Sequence, residues 1–213
     1  MASSLLSFQS ANIMDNTSGY LEIITGPMYS GKTSKLLDLY KQFVFCGIET
    51  LVINYAEDSR YSTTHLVSHN NLQIPCTLIT NLFETFPIVP ALSLTPDQGQ
   101  MIDRFLQAKV ILINEGQFFK DIVGWVTQAV EVYKKTVFVC GLDSDFKRQK
   151  FGNWLDLLLI CDTHYKLHAF CSRCKHKQAI FSHRLSPETA QKVIGSDSYI
   201  PLCRGCYEIK NKE

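Results

Sequence analysis

The chain has 213 residues, 46% of them hydrophobic, enough for the core of one large or two small domains. Its formal net charge is +1, so nothing in the global balance argues for a nucleic-acid or membrane surface, and any anion binding must be local. Eight cysteines with no secretory leader and no run of transmembrane length point to a reducing, cytoplasmic setting, where thiols bind metal or sit in the core.

Residues 1–19 are rich in Ser and Asn and lack a basic start ahead of Leu5 and Leu6; they read as a floppy tail. An apolar strand over 21–25 then runs into Gly26-Pro27-Met28-Tyr29-Ser30-Gly31-Lys32-Thr33, and a helix is expected over 34–47, ending at Gly47. Residues 50–54 form a short β-branched strand. The polar stretch 55–71, which holds Arg60, reads as a loop near phosphates. A strand over 74–79, an irregular connection over 83–96 and a helix over 99–108 follow. Residues 110–113 (VILI) are apolar throughout, as in a parallel strand covered on both faces, and they end in Asn114-Glu115-Gly116-Gln117-Phe118-Phe119. A covering helix over 122–133, a buried strand over 136–140 and a last strand over 163–170 complete the alternation. The expected fold is α/β, a mostly parallel sheet of the phosphate-loop kind flanked by helices, over residues 20–168.

Gly26 to Thr33 is a complete G-x-x-x-x-G-K-T pattern between a strand and a helix, the setting in which it cradles phosphate. Glycines let successive N–H groups point inward, the helix adds its positive end, Lys32 neutralises outer phosphates, and the Thr33 hydroxyl ligates Mg²⁺. The competing reading is a glycine-rich turn that binds nothing. Ligands of such sheets gather at the strands' carboxyl ends, which puts Asn114 and Glu115 beside the loop.

Cys171-Ser172-Arg173-Cys174 and Cys203-Arg204-Gly205-Cys206 are two C-x-x-C knuckles with 28 residues, 175–202, between them. Two such turns close a tetrahedral Cys₄ site for a structural Zn²⁺ with no open position, defining a small unit over 169–213. Two disulfides or a redox pair are the alternatives. Cys46, Cys76, Cys140 and Cys161 lie in apolar settings and read as core.

Together GPMYSGKT, NEGQFF, GLDSDF, HRL and VIGSDSYIPLCRGCY resemble the zinc-containing, phosphate-loop type II thymidine kinases, from residue 21 to about 207. The resemblance implies transfer of the γ-phosphate of ATP to the 5′-hydroxyl of thymidine, and also of deoxyuridine, with dTTP as feedback inhibitor and a homotetrameric assembly. It implies Glu115 as catalytic base and Arg60 as an arginine near phosphates and metal. It places Met28 near the thymine methyl group, and Phe118, Leu142, Phe146 and Phe151 around the nucleoside. Ser182 and Tyr199 fall on the segment between the knuckles, which in that family folds over the base as a lid. The family usually carries Asp where this sequence has Asn114, which retains an oxygen for Mg²⁺ but loses the charge. The other readings are a nucleotide-binding relative that has lost catalysis and a zinc-ribbon ATPase acting on nucleic acid. Against the latter, Lys177, His183, Arg184 and Lys192 alternate with Glu188 and Asp197 rather than forming a basic stripe.

Overall fold

The computed structural model describes residues 17–56, 65–67, 73–88, 94–192 and 198–210. The larger part contains β1 (Tyr20–Gly26), α1 (Lys32–Phe45), β2 (Thr50–Tyr55), β3 (His65–Val67), β4 (Gln73–Pro75), β5 (Thr77–Ile79), α2 (Leu82–Thr85) and α3 (Pro96–Gln107). It continues through β6 (Val110–Ile113), α4 (Ile122–Thr127), β7 (Thr136–Leu142) and β8 (Thr163–Lys166). Six strands form one sheet in the order β5-β2-β6-β7-β1-β8, and every pairing in it is parallel. The expected phosphate-loop α/β sheet is therefore present.

Alternation along the strands feeds two cores. Ile23, Ile53, Ile111, Ile113, Val137 and Val139 pack on one face with Phe105, Ile122, Trp125 and Trp154. Their neighbours Ile24, Val52, Val110, Leu112, Phe138 and Cys140 pack on the other with Leu36, Leu37, Leu39 and Phe43 of α1. That double coverage is why β6 is apolar at every position. Each buried side chain of α1 contributes about 2 kcal/mol, so the helix is fixed mainly by its inner face.

Several expectations are corrected in detail. Within the polar stretch after β2, His65–Val67 is a strand paired antiparallel with Gln73–Pro75. The strand expected over 74–79 is two strands, because Pro75 has no N–H to continue a ladder; β4 turns away and β5 joins β2. The irregular connection contains α2, capped by Asn81, whose Oδ1 accepts from Glu84 N at 2.8 Å. Helix α3 starts at Pro96 rather than Gly99, because Thr95 and Gln98 form a reciprocal capping box. The covering helix passes at Gln128 into a π turn, Gln128–Val132. The strand expected over 163–170 also splits: β8 pairs with β1, and Ala169–Phe170 leaves the sheet.

Beyond β8 lies a smaller unit: β9 (Ala169–Phe170) with β10 (Gln178–Ala179), the hairpin of β11 (Phe181–Arg184) and β12 (Tyr199–Leu202), and α5 (Arg204–Lys210). Among the described residues its hydrophobic core is Ala169, Cys171, Ala179, Leu202, Cys203 and Tyr207, with partly buried neighbours. Tyr207 donates its hydroxyl to Phe146 O at 2.5 Å, tying this unit to the segment after β7. Among the described residues no helix is long and apolar enough to cross a membrane.

Candidate active site

Strand β1 ends hydrogen-bonded on both sides, to β7 and β8, and the loop springs from that fixed end. The order of strands reverses around β1, the place where open parallel sheets gather ligands. Gly26 has φ 151°, and a Cβ there would sit 2.5 Å from Leu167 O and 2.7 Å from Ser30 Oγ, so no larger residue fits. Gly31 turns left-handed at φ 85° as the N-cap of α1, and Tyr29 does so at φ 63°. No side chain caps α1, so the first N–H groups of a helix of 14 residues face the loop. Lys32 Nζ donates to Pro27 O at 2.7 Å and Ser30 Oγ at 3.5 Å. Burial lowers its pKa, against the opposing pull of Glu115, Cys140 and Asp143.

At the end of β6 the chain brings Asn114 and Glu115 to this loop. Thr33 Oγ1 lies 3.5 Å from Asn114 Oδ1. The Asn114 amide is oriented by its partners: Nδ2 donates to Asn54 Oδ1 at 2.9 Å, and Oδ1 accepts from the Cys140 thiol at 3.0 Å. Burial, reinforced by Glu115, pushes that thiol up to about 12, so it remains a donor. Two oxygens on adjacent elements thus converge. Thr33 fits a direct Mg²⁺ ligand, and Asn114, already accepting from Cys140, fits a contact through water.

Glu115 is left-handed, at φ 56° and ψ 40°, an unfavourable conformation for a residue with a Cβ and one that concentrates at functional positions. Its Oε2 accepts from Gln117 Nε2 at 2.5 Å, while Gln117 Oε1 accepts from Leu142 N at 3.0 Å. The backbone of β7 therefore fixes which end of the Gln117 amide faces the carboxylate. Gly141 makes this possible: a Cβ there would lie 2.4 Å from Gln117 Oε1 and 3.1 Å from the Trp154 ring. A half-buried, oriented carboxylate and a nearby lysine make a site suited to proton acceptance beside a phosphate.

The apolar residues fall into two groups. Phe118 packs edge-on against Phe151 at 5.7 Å between centroids and tilts against Tyr55 at 5.4 Å; Leu142 joins the same core face. Lys192 holds its ammonium 4.5 Å from the Phe118 ring and 4.6 Å from Tyr55. Phe146 lies apart, its ring 3.8 Å below the Arg184 guanidinium, which also bonds Tyr199. Ser182 and Tyr199 are strand residues of the β11–β12 hairpin rather than loop residues. Ser182 Oγ accepts from Met28 N at 2.9 Å, directly joining the hairpin to the phosphate loop. Arg60 lies outside the described residues. Sequence reading did not assign Gln117, Arg184, Lys192 or Asn54 to the site; the local signals were the place of Gln117 two residues after Glu115 inside NEGQFF and that of Arg184 inside HRL.

The Sγ atoms of Cys171, Cys174, Cys203 and Cys206 all lie within 4.8 Å of one another, and those of Cys174 and Cys203 are 3.9 Å apart. A tetrahedron of Zn–S bonds has edges of about 3.8 Å, whereas a disulfide needs about 2.05 Å, so the donor set fits a metal. Burial pushes up the Cys171 thiol, but N–H groups of Cys174, Cys203 and Arg173 outweigh it and bring it down to about 6. Burial and the sulfurs around it push Cys206 up to about 12. The crowding that holds the proton on Cys206 is relieved by a divalent cation.

The thymidine kinase family matches residues 19–207, nearly the whole chain. Similar proteins include the cytosolic thymidine kinase of Gallus gallus, 34% identical over 89% of this chain and 77% of that protein. The cytosolic thymidine kinase of Homo sapiens is 37% identical over 90% of this chain and 74% of its own length. The thymidine kinase of Yaba monkey tumor virus is 37% identical over 91% of this chain and 97% of its own. With its phosphate loop, its ordered carboxylate and its four-cysteine cluster in one molecule, this chain belongs to the thymidine kinase family.

Proposed function

We propose that this chain phosphorylates thymidine, moving the γ-phosphate of ATP to the 5′-hydroxyl to give dTMP, and that deoxyuridine is a second acceptor. The observation that carries this is the meeting of the phosphate loop of β1 with the oriented Glu115 carboxylate of β6, in a chain of this family. In the proposed mechanism the N–H groups of residues 26–33 and Lys32 hold the phosphates of ATP. Glu115 accepts the proton of the attacking hydroxyl, and Gln117 keeps its carboxylate turned to the reacting atoms. Thr33 would hold the Mg²⁺ that accompanies ATP, with Asn114 contacting it through water, and the ion would supply charge neutralisation to the phosphates. Arg60 adds a further cation there.

Met28, Phe118, Leu142, Phe146, Phe151, Ser182 and Tyr199 form the acceptor side. Phe118 and Phe151 offer it an aromatic wall, whereas Phe146 and Tyr199 act through the hairpin. Residues 20–168 are the ATP-binding unit and 169–213 the lid-bearing one, with 1–19 as a tail. Cys171, Cys174, Cys203 and Cys206 hold one structural Zn²⁺ that ties the roots of the lid together. A homotetramer, dTTP as feedback inhibitor and action in the cytoplasm are expected from the family resemblance. The purified protein incubated with ATP, Mg²⁺ and each deoxynucleoside in turn should form dTMP from thymidine. ATP hydrolysis that responds only to DNA, without dTMP, overturns the proposal.

A further inference from the structure

Arg184 is the last residue of β11, opposite Tyr199 in the hairpin, and only 4% exposed. A buried arginine ordinarily meets a carboxylate. Here the guanidinium spends its hydrogen bonds on main-chain carbonyls and a phenol. Nε donates to Tyr199 OH at 3.0 Å, and one terminal nitrogen donates to Glu188 O at 2.9 Å and to Ala190 O. The other donates to Gln191 O at 3.0 Å and Tyr199 OH at 2.5 Å. Those five bonds use all five N–H donors of the group. Its flat face stacks on the Phe146 ring at 3.8 Å.

Three carbonyls from residues 188, 190 and 191 reach one planar cation only if the chain curls around it. The curl is then anchored outward: Gln191 Nε2 donates to Asp145 Oδ2 at 3.0 Å and Lys150 O at 3.2 Å. Asp145 is itself held, its Oδ1 accepting from Lys147 N and Gln149 N, each at 2.8 Å. The next residue, Lys192, lies against Tyr55 and Phe118 on the acceptor side. Arg184 thus connects the hairpin, the curl and the aromatic wall. Lysine, with three donors on a point charge, cannot reproduce a planar five-bond hub.

We infer that Arg184 is a positioning residue: it shapes the lid from within and so sets affinity for the nucleoside acceptor without touching it. This rests on the reading of the segment between the cysteine knuckles as the acceptor lid, and it draws on the residues of that segment from Arg184 to Lys192. Arg184→Lys should raise the KM for thymidine about tenfold, because a displaced lid misplaces the acceptor rather than the donor. The KM for ATP, the zinc-to-protein ratio and kcat at saturating thymidine should stay within about twofold. Amide exchange at residues 188–191, measured on the unliganded variant, should speed up while exchange in β6 and β7 does not. Unchanged thymidine KM, or loss of zinc or ATP affinity along with it, overturns the inference. Should the native protein fail to phosphorylate thymidine, the proposed function falls, and the exchange measurement still decides whether Arg184 holds the lid: unchanged exchange at 188–191 overturns that.

Discussion

The phosphate loop hangs from β1, a strand paired along its length with β7 and again with β8, inside a sheet covered on both faces. The segment proposed as acceptor lid springs from a hairpin of four paired positions, over a core that among the described residues has six buried hydrophobic side chains, two of them cysteines. The first support draws on hydrophobic burial that scales with size; the second has too little apolar surface and relies on cross-links instead. One of these is the metal proposed for the four-sulfur cluster. Another is the Arg184 hub. The phosphate-loop unit is consequently stiff by packing, and the proposed acceptor side is ordered by a few polar centres that can be removed singly.

Metal removal should separate the halves most sharply. A strong chelator under reducing conditions should abolish thymidine phosphorylation by unfolding the unit around β9–β12, while ATP binding, followed by calorimetry, survives. Simultaneous loss of ATP binding would show that the two supports are one. On the donor side, Glu115→Gln should lower kcat by about 10²–10⁴-fold with ATP affinity intact. Retained turnover removes Glu115 from the role of base. Gly141→Ala tests packing more gently. The added methyl meets Gln117 Oε1 and Trp154, which should cost about 1–3 kcal/mol in thermal unfolding. It should also slow kcat by about tenfold through a turned Gln117, leaving zinc content unchanged. The smallest effect is expected of Asn114→Asp, which restores a carboxylate beside Thr33. The Mg²⁺ concentration for half-maximal rate should fall about fivefold, near 1 kcal/mol for a charge acting through water. An unaltered Mg²⁺ titration and rate would show that the charge at this position is immaterial.

What was legible in the sequence was whatever is local. The GPMYSGKT loop, the apolar β6 and the C-x-x-C knuckles each declare their geometry within eight residues, and each lies where expected. What was not legible depends on partners distant in the chain. Nothing around Gln117 says that Leu142 N will orient it, and nothing around Arg184 says that it will gather carbonyls rather than a carboxylate. The break at Pro75 is a local rule that the apolar run from Ile74 to Ile79 obscured. Phe146 looked like the other site phenylalanines, but its surroundings differ because Arg184 covers its ring.

The hydrogen bond from Met28 N to Ser182 Oγ joins residues 154 apart in sequence, and its donor belongs to the phosphate cradle itself. One N–H cannot serve two acceptors at full strength. A phosphate oxygen that claims it does so at the expense of Ser182, and a firmly seated hairpin withholds it from the phosphate. Where a phosphate of the donor takes this N–H, donor occupancy and hairpin seating would be linked through this one hydrogen bond, and equally in both directions.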